Sequence, residues 1–141
     1  MTDPALRAAY RSARYRIDCG TQWIERRIGR IDASADAALT AAGCRSHWHV
    51  LTPCNPRSRR LSDADNASRV AALRTELTRY GWIALPALNT DEEGRWQEPG
   101  FCILDAPQTR VVELAAYYGQ LAIVAGTPGA APTLLWIGTS A

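Results

Sequence analysis

Between Asn66 and Tyr80 the side chains recur at helical spacing. Asn66, Val70, Leu73, Leu77 and Tyr80 stand at offsets 0, 4, 7, 11 and 14, a single helical face whose one polar member lies in the first turns. Ser62 with Asp65 three residues on resembles a capping box, and Gly81 occupies the position past the helix end. A second helical stripe, Val111, Leu114, Ala115 and Tyr118, follows Asp105 as the expected cap and Pro107 in the first turn, and Gly119 ends it. An alanine-rich run after Asp32 or Ser34, stopping at Gly43, predicts a third helix. Thr2-Asp3-Pro4 starts a short one that runs to about Tyr10.

Strand signals fill the intervals. ARYRID (13–18) and QWIERRIG (22–29) read as a hairpin about Cys-Gly-Thr, and SHWHVLT (46–52) as a central strand, β-branched and aromatic between turn signals. WIALPALN (82–89) is a strand whose second half Pro86 should demote to an edge or bulge. The charged turn 89–94 leads back into RWQEPGFCIL (95–104), and QLAIVAG (120–126) with PTLLWIG (132–138) forms a last hairpin. Units of βα type mixed with hairpins imply an α/β single-domain sandwich over residues 1–141. Its expected parts are a mixed sheet of six or seven strands, three main helices and a short N-terminal helix.

Composition agrees with one ordinary globular domain: 141 residues, 47% apolar and 21% charged. No apolar run approaches the roughly 18 residues that cross a bilayer, and the N-terminus has no apolar signal core, so a cytoplasmic protein with no membrane partner is expected. Residues 1–60 carry eleven arginines against five acidic residues, and residues 61–141 carry five against nine. The simpler meaning is two faces of opposite sign meeting in one fold; the other is attraction of an anionic metabolite or nucleic acid. Every basic residue is arginine, which excludes lysine chemistry: no Schiff base, no phosphate-loop lysine, no lysine general base. Cys19, Cys44, Cys54 and Cys102 form no C-x-x-C pair and read as reduced, mostly buried thiols.

The phosphate-loop, dinucleotide-binding, H-E-x-x-H, nucleophile-elbow and zinc-deaminase patterns are all missing. His47 and His49 share one strand face, but no third ligand stands at a metal-binding spacing, so a packed pair is the reading and neither metal nor cofactor is expected. The stretch LTPCNPRSRRLSDADN (51–66) is the least ordinary. Pro56 pushes Asn55 towards extended or turn geometry, so the chain leaves the central strand stiffly and delivers Arg57, Arg59 and Arg60 just before a helix N-terminus. Strand ends and helix N-termini are where anions are held, and arginines hold them bidentately; the competing reading is a solvated rim with Ser62 as a plain cap. RWQEPG (95–100) sets Trp96 and Glu98 on one face, either a platform with a carboxylate or a core tryptophan with a paired glutamate.

TPCNPRSRRLSDADNASR (52–69), GRWQEPG (94–100) and YGQLAIV (118–124) resemble the successive motifs of a family of small bacterial proteins, the domain of unknown function 3293. The likeness covers nearly the whole chain and maps onto Thr52, Asn55, Pro56, Ser58, Ser62, Asn66, Arg69, Trp96, Glu98, Pro99, Gly119 and Gln120. Two positions depart from its pattern: Pro53-Cys54 replaces a small and an often aromatic residue, and Gly100 stands where serine is usual, which removes a serine nucleophile. The family carries no activity, but the resemblance implies that polar residues converge at strand and helix ends, as they do in pockets. The expected ligand site is therefore Asn55, Ser58, Asn66, Arg69, Trp96, Glu98 and Gln120. Arg57, Arg59 and Arg69 would hold a small anionic or nucleotide-like ligand, and Glu98 is the candidate general base if any reaction occurs. Two other roles compete: a regulatory module with a protein partner, in which these residues only brace the turn, and nucleic-acid binding through the arginine-rich N-terminal half. No reaction is legible in the sequence.

Overall fold

A computed structural model describes residues 3–138, and every count below refers to them. Four α-helices and seven strands follow the chain in the order α1 (Pro4–Ser12), β1 (Arg14–Asp18), β2 (Trp23–Arg26), α2 (Ala33–Ala41), β3 (Trp48–Leu51), α3 (Asp63–Tyr80), β4 (Ile83–Thr90), β5 (Gln97–Leu104), α4 (Gln108–Tyr117), β6 (Ala122–Gly126) and β7 (Thr133–Trp136). The strands form one sheet in the order β2-β1-β4-β5-β3-β6-β7. The α/β class, the strand number, three main helices and the short first helix are as expected. Among the described residues no helix is long and apolar enough to cross a membrane.

The sheet differs from expectation in one respect: it is antiparallel at every pairing rather than mixed. The reason lies in the crossovers. A strand–helix–strand unit normally brings its two strands side by side and parallel. Here β3–α3–β4 spans a gap that β5 fills, and β5–α4–β6 spans a gap that β3 fills. In each unit the strands run parallel to one another, but each pairs with the antiparallel strand between them. Two split units interleave.

Both crossover helices lie on one face, where Leu73 and Leu77 of α3 and Val111, Leu114 and Ala115 of α4 pack against Leu51, Phe101, Ile103 and Ile123. The opposite face carries Tyr15, Ile17, Trp48, Val50, Cys102 and Val124 under Leu39 of α2. Covered on both sides, β3 is buried at all four positions, which is why its sequence lacks alternation. Ser62 accepts from the Asp65 N–H and Gly81 closes α3 at φ 74°, as their residue types predict. Tyr80 is not core: it is exposed and stacks on Trp82 at 4.4 Å.

Two local expectations change. Pro86 stands where β1 pairing stops, and the half of β4 that lacks a second neighbour is the first, not the second, since β1 pairs with Ala87–Thr90. Asp105 does not cap α4. Its backbone is left-handed (φ 56°) and its carboxylate accepts from the N–H groups of Arg45, Ser46 and His47, pinning the turn that enters β3.

Candidate functional site

After Leu51 the chain makes an elbow before α3. Asn55, Arg57 and Ser58 all have positive φ (49°, 56° and 60°), a conformation that side chains resist and that surrounding contacts must hold. Asn55 supplies most of the contacts. Its N–H donates to Asn66 Oδ1 (3.0 Å), and its own Oδ1 accepts from Asn66 Nδ2 (2.9 Å) and from the Leu61 N–H (2.8 Å). Its Nδ2 donates to Glu98 Oε2 (2.9 Å). Asparagine is the side chain that tolerates left-handed backbone and offers donor and acceptor together.

A second layer clamps the same turn from α3 and α4. Arg69 donates through Nε to the Pro53 carbonyl (2.6 Å) and through Nη2 to the Tyr118 carbonyl (2.5 Å), with its guanidinium 5.4 Å from the Tyr118 ring. Gln120 Nε2 donates to the Cys54 carbonyl (2.9 Å), and the Arg57 N–H donates to the Gly119 carbonyl (2.8 Å). Gly119 is required there twice over: φ is 71°, and a Cβ would come within 2.9 Å of Pro56. At Gly100 a Cβ would lie 2.4 Å from the Leu51 carbonyl oxygen, so packing leaves no room for a side chain there. Thr52 closes the layer, donating to the Pro99 carbonyl (2.8 Å) and accepting from the Cys54 N–H (3.1 Å).

Beside the elbow, on the face opposite α3 and α4, a cavity of about 340 Å³ opens between α1 and the sheet. Its floor is apolar, with Val50, Ala122, Val124 and Leu134; α1 roofs it with Leu6, Ala9 and Tyr10, and Ala13 follows just past the helix end. Polar groups collect at one end: Thr52, Ser58, Glu98 and Gln120 from the elbow layer, with Asn89, Asp91 and Trp96 from the β4–β5 end. Tyr10 Oη and Ser58 Oγ share a hydrogen bond of 2.9 Å, and Tyr15 Oη donates to the Tyr10 carbonyl (2.7 Å). Arg60 lies 4.4 Å from the centre of the Trp96 ring.

Burial holds the Glu98 carboxyl above its ordinary value, with hydrogen bonding from Asn55 and Trp96 opposing the shift. Burial also raises Tyr10, against the Ser58 hydrogen bond. Cys54 is fully buried and its thiol is pushed up by that burial, the opposite of an activated nucleophile. His47 is tied to the Ala106 carbonyl (2.6 Å) and Ser46 (2.7 Å), and His49 to Gln108 Oε1 (2.9 Å), with burial holding the His49 imidazole down. Among the described residues no cluster of histidine, cysteine and carboxylate side chains could hold a metal.

The residues expected at the site therefore divide. Ser58, Trp96, Glu98 and Gln120 line the cavity. Asn55, Asn66 and Arg69 stand behind it as bracing, their polar groups engaged with the backbone and one another, and only Asn55 touches a lining side chain that was expected, Glu98. Arg57 and Arg59 are exposed and do not line the cavity. The roof was not foreseen, although Leu6, Ala9, Tyr10 and Ala13 recur at offsets 0, 3, 4 and 7, a helical stripe that needs a partner.

A comparison with curated proteins and one with solved structures each gave no match. The family model described as Protein of unknown function (DUF3293) matches residues 51–123, just over half of the chain, from the end of β3 into β6. That span contains the whole elbow with Trp96, Glu98 and Gln120, and leaves out α1. The likeness noted in the motifs around Asn55, Glu98 and Gln120 is thus a matter of membership: the chain belongs to the DUF3293 family.

Proposed function

We propose that this protein binds a small, largely apolar molecule in the cavity between α1 and the sheet. The observation that carries this reading is a half-buried carboxylate, Glu98, held by Asn55 among the polar groups at one end of a space of about 340 Å³ whose floor is apolar. Small-molecule sites have this composition, apolar walls with a few fixed polar groups, and volumes of about 300–1,000 Å³. Two facts weigh against the arginine-held anion expected from the sequence. The Arg69 guanidinium already serves two carbonyls, and the charged side chains that line the cavity are acidic. Ligand binding remains the reading; its place moves from the elbow to the cavity that the elbow walls. Glu98 is also the one group in the cavity suited to take a proton, should a reaction accompany binding.

The test is an uncharged fluorescent filler, N-phenyl-1-naphthylamine. It is expected to brighten saturably on the folded protein at one site, and Ala9→Trp, which fills the space from the roof, should abolish the response. A signal that does not saturate, or that Ala9→Trp leaves intact, would overturn the proposal.

A further inference from the structure

From the lining of the cavity we infer that its natural ligand is an organic amine, bound with the ammonium group at Glu98 and the apolar body against the floor. This rests on the ligand-binding reading above and adds the charge and shape of what binds. The cavity has a marked asymmetry of charge. Eighteen side chains line it; two of them, Asp91 and Glu98, are carboxylates, and among the described residues none that lines it is basic. The charged groups of the wall are thus of one sign, although the chain as a whole has sixteen arginines against fourteen acidic residues.

Two arginines beside the elbow have other contacts. Arg69 serves the Pro53 and Tyr118 carbonyls, and Arg60 lies over Trp96. Among the described residues Glu98 has no arginine partner within ion-pair distance; its side-chain hydrogen-bond donor is the Asn55 amide. An ionised carboxylate has about four acceptor positions, so capacity remains for a charged donor. A half-buried acid without a counter-ion gains from one, and an ammonium ion entering from the ligand would supply it.

The surroundings suit the same cation. Tyr10, Tyr15 and Trp96 contribute three aromatic rings to the wall, and aromatic side chains attract cations as well as the apolar bodies that carry them. Asn89, paired across the sheet with Glu98, adds an amide on the same face. At the other end Val50, Val124 and Leu134 present nothing that could satisfy a second charge, so a ligand charged at both ends would leave one group unpaired. The occupant is accordingly a monoamine with an aromatic or branched aliphatic body, rather than an amino acid, a nucleotide or a polyamine.

The experiment compares three molecules with one body and three head groups: tryptamine, tryptophol and indole-3-acetate, titrated calorimetrically into the full chain at neutral pH. Tryptamine is expected to bind at least about tenfold more tightly than tryptophol, with indole-3-acetate weakest, since only the ammonium adds an opposite charge to its hydrogen bond with the Glu98 carboxylate. Glu98→Gln keeps an acceptor for the Asn55 amide and should erase the preference for the amine while tryptophol binding persists. Equal or tighter binding of tryptophol or indole-3-acetate by the unaltered protein would overturn the assignment, and so would no binding of any of the three. If the naphthylamine filler still saturates in those cases, the cavity remains a binding site and only the amine is lost; if the filler fails as well, the binding reading falls with it.

Discussion

The cavity has two walls built on opposite principles. The elbow wall, from Thr52 to Ser62, is braced by a network in which Asn55, Asn66, Arg69, Glu98 and Gln120 hold a turn whose Asn55, Arg57 and Ser58 have positive φ. The α1 wall has no buried residue; what ties it down is one side-chain hydrogen bond from Tyr10, one to the Tyr10 carbonyl, and the contacts of Tyr10 and Arg7 with Trp136. Dense networks fail as units, whereas a helix held by a few surface contacts opens locally at little cost. A binding site needs both: a wall that keeps polar groups in place and a wall that lets the ligand in.

The largest effect expected from this contrast is at the elbow. Asn55→Ala removes three side-chain hydrogen bonds at once, leaves the Leu61 N–H, Asn66 Nδ2 and Glu98 Oε2 without that partner, and places alanine at φ 49°. Urea unfolding should show a loss of about 3 kcal/mol or more. A loss below about 1 kcal/mol would mean that the network does not hold the turn.

The α1 wall should respond more weakly and differently. Tyr10→Phe removes only the bond to Ser58, so a global loss of about 1 kcal/mol or less is expected. Hydrogen exchange provides the sharper comparison: α1 amides should exchange through local opening well before those of α3, whose Leu73 and Leu77 are buried. Equal protection of the two helices would remove the distinction between a fixed and an opening wall.

The smallest effect concerns pH. Glu98 has a raised folded value, so its contribution to stability is fully present below the ordinary value of 4.5 and is lost as pH rises through the folded one. At neutral pH the ionised, half-buried group is a liability. Glu98→Gln should therefore melt slightly higher than the unaltered protein at pH 7, with the gap closing as pH falls to about 4. A gap that widens on acidification would reverse the assigned sign.

Much of this architecture is written locally. Ser62 and Gly81 bound α3 because capping depends on residues within one turn, and the buried run Trp48–Leu51 marks a strand covered on both faces. The Asn-Pro elbow was legible as a turn with special chemistry, since left-handed asparagine and a following proline are local constraints. The role of the elbow residues was not. Whether Arg69 faces a ligand or the carbonyls of Pro53 and Tyr118 depends on where α4 ends relative to α3, a matter of residues 16 and 49 positions away. Asp105 likewise looked like a cap because caps are common before helices, but its carboxylate reaches back to the N–H groups entering β3.

Residue order along the chain specified which segments are helix and strand, where they stop, and that polar side chains gather at the end of β3. Packing between distant segments specified the rest. β5 and β3 each slide into the gap left by the other's neighbours, turning two parallel units into an antiparallel sheet. The stripe on α1 then closes over the face opposite α3 and α4, and Glu98 and Trp96 become the polar end of a cavity. The physical reason is range: capping, turn geometry and hydrophobic period act within a few residues, whereas strand insertion and cavity formation are settled by burial of surfaces contributed from the whole chain.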